Sequence, residues 1–139
     1  MAIAVTRCEV HARIDARRVV AHQWSRDDAI YNAARCALLV RALLERDYPA
    51  LRDAMSDRWH QQQRAALFPP LTALLTAAYD GGADGACLAG AGPSVLALCA
   101  HGTDGVRDAF TAAAAAHDVA GDVLTLRVRN FGARVEVEP

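Results

Sequence analysis

The sequence contains no lysine; apart from histidine, all fifteen basic side chains are arginine. That excludes a lysine Schiff base and the ammonium of a Walker A phosphate loop. Long apolar runs are also missing, and none reaches the length that spans a bilayer. No charged start followed by an apolar stretch marks a signal peptide, so a soluble, cytoplasmic chain is expected. Neither charge sign dominates. A net charge of −1 offers no general attraction for nucleic acid or a membrane surface. The four cysteines, Cys8, Cys36, Cys87 and Cys99, form no C-x-x-C pair and have no zinc spacing. Buried, reduced thiols are the expectation. His11, His22, His101 and His117 lack metal-like spacing, and Ser25, Ser56 and Ser94 suggest no Ser-His-Asp arrangement. Neither a metal site nor a catalytic residue is expected.

What is present suits one domain over residues 1–139, long enough to bury roughly 70% of the unfolded chain's surface. Apolar residues make up 53%, above the usual range of about 45–50%, which hints at an apolar face covered by something else. The pattern reads as a first strand from Ala2, extending at most to Val10, then an arginine-rich connection carrying Arg17 and Arg18. Ser25 is an N-cap with Asp28 at the third helical position, opening a mostly buried helix to about Arg46. Pro49 opens a second helix to about Gln62, and a third runs from Leu71 to Tyr79. A hairpin follows, with strands before and after Gly90-Ala91-Gly92-Pro93. An alanine-rich helix from Val106 to about His117 and strands over 123–128 and 132–137 complete the chain. This order matches an α+β, ferredoxin-like split β-α-β sandwich: an antiparallel sheet with helices packed on one face.

Two stretches bear on function. The turn at Gly90-Ala91-Gly92 is either a buried tight turn or a backbone loop closing over an anion, and these readings are compatible. His60-Gln61-Gln62-Gln63-Arg64 is either a solvated helix end or a ligand-facing cluster whose Arg64 grips a carboxylate or phosphate. Arg17 and Arg64 flank the helical segment, and the sequence leaves open whether they converge. Asp28 and Asn32, at i and i+4, are ordinary helix neighbours.

GADGACLAGAGPSVLAL resembles the third glycine-rich motif of the GHMP kinases, the family of galactokinase, homoserine kinase and mevalonate kinase. The stretch from Ser25 to Arg35 is similar to a helix start of bacterial homoserine kinases. The segment from Asp57 to Pro69 is similar to their D-x-x-H-x-x-x-R-x-x-L-x-P segment, and that around Arg17 to an A-R-x-x-L-P region. Departures are Ala89 for a serine, Val20-Ala21 for Leu-Pro, and Gln62-Gln63 for Pro-Tyr.

The resemblance implies the C-terminal half of a homoserine kinase. Such an enzyme phosphorylates the homoserine side-chain hydroxyl with ATP and Mg2+, a step towards threonine. Arg17 and Arg64 would hold the substrate carboxylate, and Gly90, Ala91 and Gly92 would lie on the phosphate side. The family's phosphate loop, P-x-x-x-G-L/I-x-S-S-A, has no counterpart here. ATP and Mg2+ are therefore implied only for a complete enzyme, and no activity is expected of this chain alone. Its expected partner is the missing N-terminal kinase half or a second copy, and its ligand a homoserine-like small molecule. The alternatives are a stand-alone small-molecule-binding module of ferredoxin-like fold and a remnant that dimerises through its uncovered face.

Overall fold

A computed structural model describes residues 2–8, 13–133 and 135. In chain order the elements are β1 (Ala2–Cys8), α1 (Arg13–Arg18), α2 (Arg26–Glu45), α3 (Leu51–Ala54), α4 (Gln61–Ala65), α5 (Leu71–Asp80), β2 (Gly85–Leu88), β3 (Val95–Cys99), α6 (Asp104–Ala116) and β4 (Gly121–Arg127). The four strands form one sheet in the order β2-β3-β1-β4, with every neighbouring pair antiparallel. This is the expected split β-α-β arrangement, with β1 inserted between the hairpin and the last strand. Half of the strand expected over 132–137 falls outside the described residues; Gly132, Ala133 and Val135 are not in a strand.

Strand alternation divides the hairpin's side chains between two faces. Ala86, Leu88, Val95, Ala97 and Cys99 pack against Leu71, Leu74 and Ala78 of α5 and Val106 and Phe110 of α6. This is the expected helical layer on one face. Phe110 is fully buried there, and its truncation to alanine would cost about 3–5 kcal/mol. On the reverse face, Leu96, Leu98 and Cys87 meet Leu39 and Ala42 of α2 and Leu51 and Met55. The helical segment thus also touches the far side of the β2–β3 end. The register carries the Leu96 and Leu98 rows across β1 to Leu124 and Leu126 of β4, which are exposed.

β2 is an edge strand, and its outward backbone groups are closed by side chains rather than left open. The Tyr79 hydroxyl lies 3.2 Å from the Ala86 N–H, which donates to it, and 3.4 Å from the Ala86 carbonyl. The Leu88 N–H donates to Gln61 Oε1 at 2.5 Å.

Two expectations about the helices are corrected. The helix from Ser25 starts as read, with the Asp28 N–H donating to Ser25 Oγ at 3.0 Å. It is not mostly buried: only Asn32 and Ala42 are, while Val40 and Leu44 are 59% and 79% exposed. It meets the fold along a narrow stripe. The second helix does not run from Pro49 to Gln62 but stops at Ala54 and restarts at Gln61. The Arg58 N–H donates to Asn32 Oδ1 at 3.0 Å, and those of His60 and Gln61 donate to Asp57 Oδ2, each at 2.7 Å. Side chains take the donors that a continuous helix would need. Arg64 therefore lies within a separate short helix rather than at the end of the second one.

Candidate functional site

The site is built outward from Asp57. Its Oδ2 caps the start of α4, and its Oδ1 accepts from Asn32 Nδ2 at 2.8 Å. Burial works to raise the Asp57 carboxyl pKa. Hydrogen bonds from the Gln61 and His60 backbone and the Asn32 side chain outweigh it and hold the pKa below its ordinary value.

One turn on, His60 Nδ1 lies 3.1 Å from Arg64 Nη1. A guanidinium has only donors, so Nδ1 must accept, and the imidazole proton sits on Nε2. That nitrogen stands 3.8 Å from Asp57 Oδ1. Burial pushes the His60 pKa below its usual value; Asp57 opposes this and Arg64 adds to it.

Arg64 ties three segments together. Its Nε–H donates to the Ala16 carbonyl at 3.0 Å, and Nη1 donates to the Gly90 carbonyl at 2.7 Å as well as to His60. Among the described residues, three of the five N–H groups are thereby committed, leaving the two on Nη2. The glycine turn itself is held by Ala89 N–H to the Ser94 carbonyl at 2.8 Å and Gly92 N–H to the Ala89 carbonyl at 3.1 Å. Gly90 and Gly92 adopt φ of +60° and +81°, which side chains rarely take. A Cβ on Gly92 would also stand 2.7 Å from Leu88 Cδ1.

Between these segments is a small, largely apolar cleft. Ala16, Leu67, Phe68, Leu88, Ala91 and Pro93 line it, together with Arg64 and Gly92. Arg64 is the charged residue among this cleft's mostly apolar lining, so an anionic group bound there would meet a guanidinium. Among the described residues, no group of three or more His, Cys, Asp or Glu could hold a metal ion.

Of the residues singled out from sequence, Arg64, Ala91 and Gly92 line this cleft, and Gly90 joins them through its carbonyl, which accepts from Arg64. Arg17 is exposed in the last turn of α1. It is the Ala16 carbonyl, not Arg17, that accepts from Arg64 Nε, and Arg17 is not among the residues that line the cleft. The polar cluster is not a solvated end. Gln61 binds β2, Gln63 Oε1 accepts from the Ala21 N–H at 2.8 Å, and Arg64 binds α1 and the glycine turn. Trp24 packs on Trp59 at a centroid distance of 6.0 Å, which also ties the connection after α1 to this region. Sequence reasoning passed over Asn32 and Asp57 as members of the site. Their signal was a polar residue on an apolar helix and an acid three residues before a histidine.

The site sits on an antiparallel split β-α-β sheet, and the chain belongs to the family of GHMP kinase C-terminal domains. The family described as "GHMP kinases C terminal" matches residues 39–120. The chain is 40% identical over 136 residues to a homoserine kinase of Desulfitobacterium hafniense, covering 97% of this chain and 46% of that protein. It is 35% identical over 118 residues to a homoserine kinase of Halothermothrix orenii, covering 85% of this chain and 38% of that protein. The crystal structure of a homoserine kinase from Cytophaga hutchinsonii superposes with a TM-score of 0.84 at 25% identity, covering 91% of this chain and 41% of that one. The chain thus spans less than half the length of the relatives it matches. No helix among the described residues is long and apolar enough to cross a membrane.

Proposed function

We propose that this chain is the C-terminal, substrate-side part of an ATP-dependent homoserine kinase, working in the cytoplasm and completed by an N-terminal half. The observation that carries this reading is the placement of Arg64. It is braced against the Ala16 and Gly90 carbonyls and lines the adjoining cleft. A small zwitterion needs a carboxylate anchor, and a fixed guanidinium provides one. Arg17 is the proposed second anchor. Gly90, Ala91 and Gly92 are proposed to border the phosphate side.

ATP and Mg2+ belong, in this reading, to the N-terminal half. The exposed Val40 and Leu44 of α2 and Leu124 and Leu126 of β4 support a covering partner. The N-terminal half is the partner proposed, with a second copy as the alternative.

Co-expression with the N-terminal half of the Desulfitobacterium relative tests this. Homoserine-dependent ADP release is expected from the pair and not from this chain alone. In the pair, Arg64→Lys should raise KM for homoserine, because a planar donor set becomes a point charge. Homoserine-dependent turnover by this chain alone would overturn the division of labour. A pair that assembles but does not turn over homoserine would overturn the substrate assignment.

A further inference from the structure

We infer that His60 is a positioning residue, whose neutral Nε2–H form holds the Arg64 guanidinium in place and whose protonation withdraws that hold. The inference rests on the reading of Arg64 as a ligand anchor, and it adds a second residue and a pH dependence to that anchor.

Nδ1 of His60 accepts from Arg64 Nη1 at 3.1 Å. A second proton on the imidazole would turn this acceptor into a donor facing a donor, and would set two cations side by side. The same Nη1 also donates to Gly90, so protonating His60 disturbs the group that holds the glycine turn. Arg64 Nε remains on the Ala16 carbonyl, which leaves the guanidinium with one firm end and one loosened end.

Asp57 is the countercharge, with Oδ1 3.8 Å from His60 Nε2. Its two oxygens are already engaged by Asn32 and by two backbone N–H groups, so it is not free to swing onto the ring. The other titratable and charged groups around His60 line the groove on its far side. Arg35 of α2 is paired with Asp53 at 2.8 Å, and Cys36 of α2 faces the same groove. The Cys87 thiol of β2 is pushed up to about 11 by burial and by Asp57, so it stays neutral. Burial lowers the His60 pKa, which keeps the holding form populated at neutral pH.

Two measurements test this. In the 139-residue chain, nitrogen chemical shifts of the imidazoles should show His60 with a bare Nδ1 and a protonated Nε2 at neutral pH. The Arg64 side-chain N–H signals should broaden as His60 titrates below its ordinary value of 6.5. A protonated Nδ1, or Arg64 signals indifferent to that titration, would overturn the inference and leave the kinase reading standing.

In the two-half enzyme, KM for homoserine should rise on the order of fivefold as His60 protonates, with kcat changing far less. His60→Asn places an oxygen near the Nδ1 position and cannot titrate, so it should flatten that KM profile. His60→Ala should raise KM across the whole pH range. An unchanged KM profile in His60→Asn would overturn the inference. Failure of the pair to phosphorylate homoserine would count against the substrate assignment alone, with the imidazole shifts still deciding the role of His60.

Discussion

Asn32 and Asp57, twenty-five residues apart in the chain, meet side chain to side chain, Nδ2 donating to Oδ1 at 2.8 Å. The same amide accepts from the Arg58 N–H through its oxygen, so one buried side chain fixes both the carboxylate and the backbone beside it. Since Asp57 in turn caps α4, Asn32 supports the helix that carries His60 and Arg64.

Replacing Asn32 by alanine should therefore cost about 1–3 kcal/mol, because it leaves a half-buried carboxylate oxygen and a backbone N–H without partners. Asn32→Asp should cost more, since it sets two carboxylates against each other. Urea unfolding of the two variants should show lower midpoints in that order. An Asn32→Ala midpoint equal to the parent's would refute the account.

Stability should fall with acid in two stages. The folded pKa of His60 is lowered, so the unfolded chain takes up the proton first. Stability from this group is complete above 6.5, is lost as pH falls from 6.5 towards the folded value, and then levels off. The folded pKa of Asp57 is also lowered, so its contribution is lost only below 3.8. Melting temperatures of the parent, His60→Asn and Asp57→Asn across this range should assign the upper stage to His60 and the lower to Asp57. A parent and His60→Asn with parallel curves would contradict the first assignment.

Gly92 should tolerate substitution less well than Gly90. Both have positive φ, but a Cβ on Gly92 meets Leu88 while one on Gly90 meets open space. Gly90→Ala should cost about 1–2 kcal/mol from backbone conformation alone. Gly92→Val should exceed that, adding a clash and a β-branch. Denaturation midpoints that rank the two the other way would be inconsistent with this turn.

The cysteines should separate by reactivity. Cys36 is exposed, although the sequence suggested that it would be buried; Cys99 is buried and Cys87 nearly so. Burial raises the pKa of the Cys87 and Cys99 thiols, that of Cys87 to about 11, and little thiolate is then present near neutral pH. Brief alkylation followed by peptide mass analysis should label Cys36 well before Cys87 or Cys99. Equal labelling of all three in the folded chain would mean that the hairpin opens.

Local chemistry made much of this fold legible. Ser25 and Asp28 mark the start of α2 because a cap is made within four residues. The hairpin is readable because alternation, two glycines and a proline act within one short stretch. The expected burial of α2 went astray because helical periodicity reports an apolar face, not whether anything covers it. A helix matching a narrow strip of the sheet leaves Val40 and Leu44 in solvent.

The break between α3 and α4 could not be read locally either, since it depends on an Asn32 side chain twenty-six residues before the Arg58 N–H that it captures. The Arg64 anchor likewise needs the Ala16 carbonyl, forty-eight residues earlier, and that of Gly90, twenty-six residues later. The sequence by itself determined which residues could hydrogen-bond in this way: the histidine, the arginine and the glycine turn. Only the tertiary structure decided which donor meets which acceptor. A guanidinium can offer its five N–H groups to any nearby oxygen, and the packing of α1, α4 and the hairpin selects the oxygens it reaches.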